Sequence, residues 1–262
     1  MGSHGARIIA VINEKGGVGK TVTVINLGAA LATLRKKVLI VDMDPQFNAT
    51  KGLGVTVKDE DYTAYDIVSA SDKIPASSAI VPTQWEDLHL IPSHVDLSGA
   101  ELELVDESGR ESRLKAGLDP IRNNYDFIIL DTPPSLSLLT VNVLAAAKEV
   151  FIPCQTHPYA YAALDSLVET VQSVRENINP GLKITGVIAT FYDKRTRVGH
   201  GILETLRKDK RFSDKLFDTI IRNNITIAES AYYGKPVIFY DKHSYGAIDY
   251  MNLAKEVVER KQ

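Results

Sequence analysis

A short apolar run followed at once by a loop of glycines and lysines constrains the fold of this chain more than any other feature. The run Ile8–Ile12 precedes NEKGGVGKTVT at residues 13–23, and VINLGAALATL then continues in a helix-like pattern. Glycines let a backbone fold into a nest of N–H groups, and a following helix adds its positive N-terminal end. The order of strand, glycine loop and helix predicts a phosphate-binding loop in an α/β fold.

Short apolar, β-branched runs alternate with amphipathic stretches along the rest of the chain. The predicted strands are Ile8–Ile12, Val38–Val41, Leu88–Ile91, Phe127–Leu130, Val150–Pro153, Ile184–Ala189 and Thr219–Ile221, with a short edge strand at Val237–Tyr240. The predicted helices include Thr21–Leu34, Ser137–Ala147, Ala162–Asn177 and Ile202–Lys208. Runs that are apolar throughout are typical of strands buried on both faces. The pattern predicts a mainly parallel, twisted sheet of about seven to eight strands with helices on both faces, which is the three-layer P-loop NTPase fold.

Composition excludes several classes of protein. The 262 residues carry a net charge of −3, which does not by itself indicate nucleic-acid binding. The single cysteine, Cys154, excludes an internal disulfide framework and any multi-cysteine metal site, which suits a reducing cytoplasm. No apolar run approaches the ~20 residues that span a bilayer. We interpret Met1–His4 as a cloning remnant and residues 5–262 as one domain, in which Thr56–Ser78 is a polar surface excursion.

The loop residues have distinct expected roles. A strict P-loop has glycine where this chain has Glu14, but the remaining pattern is intact. Lys20 is expected to contact the β- and γ-phosphates, and the Thr21 hydroxyl to ligate Mg²⁺. The predicted nucleotide-binding residues are Lys15, Gly16, Gly17, Val18, Gly19, Lys20, Thr21 and Val22.

Three aspartates follow buried strands. Asp42 and Asp44 end the strand of VLIVDMDP, and Asp131 ends that of YDFIILDTPPS. Ligands in open α/β sheets bind beyond the carboxyl ends of the strands, so these acids should lie beside the phosphate loop. Asp131 has the position of a Walker-B acid that holds Mg²⁺ through water. Each aspartate has an alternative reading as a helix N-cap or turn residue.

Taken together, KGGVGKT, VLIVDMDPQFNAT and YDFIILDTPPSLS resemble the deviant Walker-A ATPases, most closely the ParA/Soj partition ATPases. The likeness continues through GVIATFYDKRT and YGKPVIFYD and so covers nearly the whole chain. It implies an ATPase that uses ATP and Mg²⁺ for chromosome or plasmid partition, located in the cytoplasm on the nucleoid. It also implies an ATP-bound homodimer, non-specific double-stranded DNA and a ParB-type stimulating protein as partners.

The resemblance assigns roles to single residues. Lys15 would reach the phosphates of the partner subunit in a sandwich dimer, although it also reads as a solvated loop cation. Lys15, Lys20 and Asp44 would be catalytic, Asp44 by positioning or activating the attacking water. Asp42 would join Thr21 and Asp131 in the Mg²⁺ shell. Asn224 would contact the adenine in a loop that often reads Pro-Arg-Asn in the family, whereas this chain has Arg222-Asn223-Asn224.

The residues expected to bind DNA are where this sequence departs most from the family pattern. The candidate contacts are Lys194, Arg195, Arg197, Lys208, Lys210, Arg211 and Lys235. Only Arg195 matches an arginine that the family uses on DNA, because Asn223 and Thr226 stand where two others are expected. An ordinary solvated surface is the alternative reading of these cations.

Three other functions remain as alternatives. A ParA-like ATPase that positions a protein cargo without DNA shares every nucleotide motif. A P-loop metabolic phosphotransferase would need an acceptor pocket, for which no motif is visible. A membrane-binding MinD-type role would use the C-terminal stretch MNLAKEVVERKQ, but its apolar face of Leu253, Ala254, Val257 and Val258 is small and favours core packing.

Overall fold

The computed structural model describes residues 5–69 and 74–260, so the interpretation of Met1–His4 lies outside the described residues. The strands are β1 Arg7–Val11, β2 Val38–Asp42, β3 Val81–Pro82, β4 Leu88–Ile91, β5 Phe127–Asp131, β6 Glu149–Gln155 and β7 Lys183–Thr190. The helices are α1 Lys20–Thr33, α2 Asn48–Gly52, α3 Ala64–Val68, α4 Leu97–Glu103, α5 Arg113–Leu118, α6 Leu138–Ala146, α7 Pro158–Ala162, α8 Leu164–Asn177, α9 Arg197–Lys208, α10 Ile225–Tyr232, α11 Val237–Tyr240 and α12 Tyr245–Glu259. Short 3₁₀ helices occupy Ala76–Ala79, Arg110–Ser112 and Arg122–Asn124.

One sheet of seven strands, in the order β3-β4-β2-β5-β1-β6-β7, forms the middle layer. Every neighbouring pair is parallel except β3 and β4. Strand β1, which leads into the glycine loop, lies in the interior between β5 and β6. The predicted α/β sheet is therefore confirmed, and the phosphate loop leaves its interior at the carboxyl edge.

Alternate residues of each strand face opposite helical layers, because side chains in a strand point to opposite faces. Ile9 and Val11 belong to a core shared with α1 and α12, whereas Ile8 and Ala10 belong to a core shared with α5, α6 and α8. All five residues of β5 are buried. Burial on both faces explains why these strands read as continuous apolar runs.

The predicted strand at Thr219–Ile221 is wrong. The chain forms no regular ladder with β7: it makes isolated bridges, Val187 with Leu216 and Tyr192 with Arg222, and single hydrogen bonds such as that from the Ile221 N–H to Ala189 O at 2.9 Å. Between those bridges the Glu256 carboxylate of α12 accepts hydrogen bonds from the N–H groups of Asp218 and Thr219, at 2.8 and 3.0 Å. A side chain distant in sequence therefore replaces part of the expected strand ladder.

The predicted edge strand at Val237–Tyr240 is also wrong, because these residues form α11. The Val237 N–H donates to Asn26 Oδ1 of α1 at 2.7 Å, and Val237 and Ile238 are buried in the core. A run of four apolar residues cannot distinguish a strand from a helical turn by its period.

The segment Thr56–Ser78 is not wholly a surface excursion. Within it, α3 buries Ala64, Ile67 and Val68, and the Thr63 side chain caps the helix in a capping box with Asp66. The apolar residues of α3 are too few to give a periodic signal. Residues 70–73 of the segment lie outside the described residues.

Three of the four apolar residues that the sequence assigned to core packing in the C-terminal helix are buried, whereas Val258 is exposed. Leu253, Ala254 and Val257 of α12 are buried against the layer that contains α1. Within residues 5–69 and 74–260, none of the helices combines the length and the apolar character needed to cross a bilayer.

Gly186 of β7 lies where two aromatic rings meet. A β-carbon there would lie 2.7 Å from Phe151 Cδ1 and closer still to the Phe217 ring. These rings pack edge to face with centroids 5.2 Å apart. We expect Gly186→Ala to lower the free energy of unfolding by about 1–3 kcal/mol, since both buried rings must shift. Urea unfolding measures the change.

The matched control is Gly201→Ala in α9, where a β-carbon meets no atom within 4 Å. Alanine at this exposed helical site should raise stability by up to about 1 kcal/mol. Equal effects of the two substitutions would contradict the packing argument for Gly186.

Candidate nucleotide-binding site

The loop between β1 and α1 has the backbone of an anion-binding nest. Gly17 and Gly19 adopt left-handed φ values of 76° and 93°, and Gly19 caps the N-terminus of α1. Glu14 does not have a positive φ, so the missing first glycine of the strict motif is not needed here. The Glu14 carboxylate instead accepts a hydrogen bond from Ser166 Oγ of α8 at 2.9 Å. The loop therefore keeps the phosphate-binding geometry despite the departure in sequence.

Lys20 is almost completely buried at the start of α1, with 7% of its surface exposed. Burial lowers the pKa of Lys20, while the negative charges of Asp131 and Asp44 act in the opposite direction. A buried lysine is suited to bind a polyanion such as a phosphate chain. The bound negative charge stabilises the ammonium form that burial disfavours.

Asp131, at the end of β5, has an oxygen available for a cation. Its Oδ1 accepts the N–H of Thr132, but its buried Oδ2 has no hydrogen-bond partner among the described residues. Burial, followed by the charge of Asp42, raises the pKa of Asp131 well above its usual value. A buried carboxylate oxygen without a donor is the arrangement that a divalent cation or its bound water satisfies.

Asp131 fits Mg²⁺ by this observation, and Thr21 lies beside it, since the Thr21 hydroxyl acts against the rise in the pKa of Asp131 and lines the phosphate cavity. In the described part of the chain no group of three or more His, Cys, Asp or Glu side chains is arranged as a metal site by itself. Mg²⁺ commonly takes one or two protein ligands and completes its shell with phosphate oxygens and water. When bound there, it would offset phosphate charge.

Asp42 lies directly beside Asp131 in the register of β2 and β5. Its Oδ2 accepts hydrogen bonds from both the N–H and the hydroxyl of Thr50, each at 2.8 Å, and its Oδ1 accepts the Asp44 N–H at 3.2 Å. Burial raises the pKa of Asp42 to about 6. In this structure Asp42 anchors helix α2 to the sheet, and its place in the Mg²⁺ shell stays a prediction.

Asp44 lines a cavity of about 250 Å³ beside the phosphate loop. The cavity is bounded by Gly16, Gly17, Gly19, Lys20, Thr21, Val22, Asp44, Asn48, Pro134 and Phe191. The Asp44 carboxylate accepts the Gln46 N–H at 3.0 Å, and its carbonyl accepts the Ser93 hydroxyl at 2.8 Å. The structure therefore brings Asp44, Lys20 and Thr21 to one cavity, as expected from the sequence.

Phe47 occupies the left-handed region with φ 46°, at the N-cap of α2. Glycine adopts this conformation without strain, whereas a bulky aromatic residue does so at a cost. The Lys51 ammonium group lies 3.7 Å from the centre of the Phe47 ring, and the His94 ring stacks on it at 6.2 Å. Phe47 thus packs against both Lys51 and His94 at the entrance to α2.

Lys15 does not line the 250 Å³ cavity of its own chain, among the described residues that bound it. Its N–H donates to Asn13 Oδ1, and its Nζ lies 5.9 Å from the centre of the Tyr159 ring of α7. The side chains of the two lysines therefore take different places: Lys20 lines the cavity, where its Nζ donates to the Lys15 carbonyl at 3.5 Å, and the Lys15 ammonium group lies outside it.

A second, larger cavity of about 520 Å³ continues from the first. It is bounded by Gly19, Val22, Thr190, Phe191, Ile221, Arg222, Asn223, Asn224, Ile225, Ile227, Ala228 and Tyr250. Asn224 caps α10 by accepting the Thr226 N–H through Oδ1 at 2.8 Å, which leaves its NH₂ group to face a ligand. A mainly apolar cavity with a few polar side chains, here Arg222, Asn223 and Asn224, has the chemistry of a site for a heterocyclic base.

Arg222 replaces the family's usual proline in this wall. Its N–H donates to Asp249 Oδ2 at 3.0 Å, its Nε donates to the same oxygen at 2.9 Å, and its guanidinium lies 4.1 Å from the Tyr245 ring centre. Proline has no N–H to donate. Asp249 therefore holds the loop by contacts that a proline would not make, and no local sequence signal predicts this pairing.

The candidate DNA-binding residues are all exposed but are not equally free. Arg195 is paired with Asp193 at 2.7 Å, and Arg211 is paired with Asp209 and Asp165. The Arg195 guanidinium lowers the pKa of Asp193 to about 2. Lys208 approaches Glu204 at 4.0 Å. Within the described chain, Lys194, Arg197, Lys210 and Lys235 form no ion pair.

Comparison with known proteins agrees with this geometry. The AAA domain family AAA_31 matches residues 6–184. The Sporulation initiation inhibitor protein Soj of Bacillus subtilis is 47% identical over 96% of this chain and 98% of that protein. The Chromosome-partitioning ATPase Soj of Treponema pallidum is 43% identical over 97% of this chain and 98% of that protein.

Among solved structures, Mycobacterium smegmatis cobyrinic acid a,c-diamide synthase with bound ADP and magnesium has a TM-score of 0.83 and 32% identity, covering 97% of this chain and 94% of that one. Its fold agrees with the seven-stranded sheet described above. The higher identity and nearly complete coverage of the Soj proteins decide the assignment: the chain belongs to the Soj/ParA family of chromosome-partitioning ATPases.

Proposed function

We propose that this protein is an ATP-driven switch for DNA segregation that works as a nucleotide-bound homodimer. ATP phosphates occupy the cavity lined by Lys20, Thr21 and Asp44, with Mg²⁺ held by Thr21 and Asp131 and the base in the larger cavity beside Asn224. The ATP-bound dimer binds DNA non-specifically on the nucleoid, and hydrolysis stimulated by a ParB-type protein releases it. Residues 5–262 act in this scheme as one domain.

The position of Lys15 carries the proposal of a dimer. Its ammonium group lies beside Tyr159 and outside the phosphate cavity of its own chain. Cations that stabilise phosphoryl transfer are often supplied by a second molecule, as arginine fingers are. A lysine in the glycine loop that its own site does not use is available to a partner subunit.

Helix α2 connects the nucleotide to the rest of the molecule. Asp44 and Asn48, on either side of Phe47, line the phosphate cavity, while Thr50 two residues later is bonded to Asp42. A γ-phosphate in the cavity would contact one end of this segment while the other end remains anchored. Such segments are ordered by the γ-phosphate and released after hydrolysis in other nucleotide switches.

The unpaired cations that follow β7 support DNA binding at the carboxyl edge of the sheet. Lys194 and Arg197 follow β7, and Lys210 follows α9. Non-specific affinity for DNA depends on free cations near phosphates and needs no reading of bases. Arg195 and Arg211 form ion pairs with aspartates, so we expect them to contribute less to DNA affinity than the unpaired cations.

DNA affinity measured with ATP and with ADP, over a range of salt concentrations, tests this function. We expect tighter binding with ATP and a logarithmic dependence on salt. The logarithm of the binding constant falls with the logarithm of the salt concentration by about 0.9 per phosphate contact. Replacing both Lys194 and Arg197 with alanine should therefore reduce the steepness of this dependence by about two.

The control is the double alanine variant of Lys36 and Lys37, two cations that form no ion pair within the described chain and precede β2, so that they lie at the opposite edge of the sheet. It should leave the slope unchanged. ATP-dependent dimers without any DNA affinity would instead favour the positioning of a protein cargo.

A metabolic reaction is the rival candidate, favoured by the structural likeness to a diamide synthase. A metabolic reaction at this site would need a small acceptor besides ATP. Phosphate release from ATP alone, unchanged by candidate acceptors, would favour the switch. Acceptor-dependent turnover with a modified product would favour the rival.

A further inference from the structure

Phe191 holds a costly backbone conformation directly after β7. Its φ is 51°, which is unfavourable for a bulky aromatic residue. Flanking contacts fix it there: Thr190 Oγ1 donates to Val18 O of the phosphate loop at 2.9 Å, and Tyr192 N–H donates to Ile221 O at 3.1 Å. Strain of this kind persists where the surrounding structure over-determines it and is concentrated at functional sites.

The ring stands at the junction of the two cavities. Gly19, Val22 and Phe191 are the residues that line both the 250 Å³ and the 520 Å³ cavity. A β-carbon at Gly19 would lie 3.2 Å from Phe191 Cε2, so the ring rests directly on the phosphate loop. Any ligand that fills both cavities as one molecule must pass along this ring.

A nucleoside triphosphate is such a ligand, with phosphates at one end and a flat base at the other. Between them lies a sugar with an apolar C–H face. The Phe191 side chain is 37% exposed, so its ring has surface left to cover. Aromatic rings are well suited to pack against sugars and bases because they offer a large, rigid apolar face.

We propose that Phe191 positions the nucleoside part of ATP by packing its ring against the sugar and the adjoining edge of the base. This inference rests on the proposed binding of the base in the 520 Å³ cavity. The strained backbone at Phe191 holds the ring in place against Gly19 before ATP binds. Phe191 is a positioning residue that adds affinity for the nucleoside and not for the phosphates.

The test compares ATP with inorganic tripolyphosphate, which has the phosphates without the nucleoside. Binding of each to the full chain is measured in the presence of Mg²⁺ by competition with a fluorescent nucleotide. We expect Phe191→Ala to weaken ATP about tenfold and to change tripolyphosphate by less than about twofold. Phe191→Gly should do the same, and it keeps the test valid if alanine misfolds, because glycine relieves the positive φ.

Phe239→Ala is the matched control. That phenylalanine has a similar exposure of 40% and stacks on Trp85, away from both cavities, so its loss should change neither affinity. Unchanged or tighter ATP binding in both Phe191 variants would overturn the proposal, since the ring would then be only a lid. Equal weakening of ATP and tripolyphosphate binding would also overturn it, because Phe191 would then only maintain the conformation of the phosphate loop. If the unaltered protein binds tripolyphosphate as tightly as ATP, the base cavity itself fails, and the inference with it.

Discussion

Asp44→Ala is expected to lower the turnover number for ATP hydrolysis by about 10²–10⁴-fold, the range typical of losing a general base. Asp44 is 6% exposed and lines the phosphate cavity together with Lys20 and Thr21. The variant should still bind ATP, because the nest, Lys20 and Thr21 remain, and it should accumulate as an ATP-bound dimer. Phosphate release and the oligomeric state in ATP measure the two effects separately.

Two comparisons make this expectation specific to the carboxylate. Asp44→Asn keeps an oxygen to accept the Gln46 N–H, so it should preserve the fold and still lose hydrolysis. The Ser93 hydroxyl holds the backbone of residue 44 in either variant. Asp96→Ala, which removes an exposed carboxylate paired with His94, should leave turnover unchanged. Unchanged hydrolysis in Asp44→Ala would refute its role with the attacking water.

The site residues whose positions in the fold follow from the sequence are those encoded in contiguous strings. Lys20 and Thr21 begin α1 after the glycine loop that follows β1, and Asp131 ends β5, so the parallel sheet brings all three to one edge. Asp42 was predicted at the right place, but its bonds to Thr50 come from folding of the next segment back onto β2. A sequence motif indicates which residues lie near a site, but not which of them already form hydrogen bonds with other parts of the protein.

The features that sequence could not predict depend on contacts between distant residues. The Glu256 carboxylate accepts the Thr219 N–H, where a strand was predicted. The Asp249 carboxylate accepts the Arg222 N–H and so fixes the loop where a proline was expected. Both acids lie on α12, whose sequence indicates only an amphipathic helix. Phe191 likewise has no motif, because its significance depends on a positive φ and on the cavity at each side. Such pairings become visible only when the chain is folded.

Lys15→Ala is expected to abolish ATP-dependent dimerisation and to reduce hydrolysis to the level of an isolated subunit, while ATP binding changes little. Lys15 lies outside its own phosphate cavity, so its loss removes no contact within one chain's site. Lys20→Ala should behave differently, because it removes the buried cation beside Asp131 and Asp44 and with it most of the affinity for ATP. Light scattering with and without ATP and a nucleotide-binding assay distinguish the two variants. Lys58→Ala, at an exposed lysine outside both cavities, is the control.

Mixing the two inactive variants separates action on the partner from action within one chain. The Lys15→Ala subunit retains a complete phosphate loop, and the Lys20→Ala subunit retains Lys15. A mixed dimer would therefore contain one complete site, made from the loop of the first subunit and Lys15 of the second, and should recover hydrolysis that neither variant shows alone. If Lys15 acts on its own chain, no mixed dimer contains a complete site and mixing restores nothing. Normal ATP-dependent dimers of Lys15→Ala alone would contradict the role of this lysine in pairing, because the loop would then need only one of its two lysines to switch.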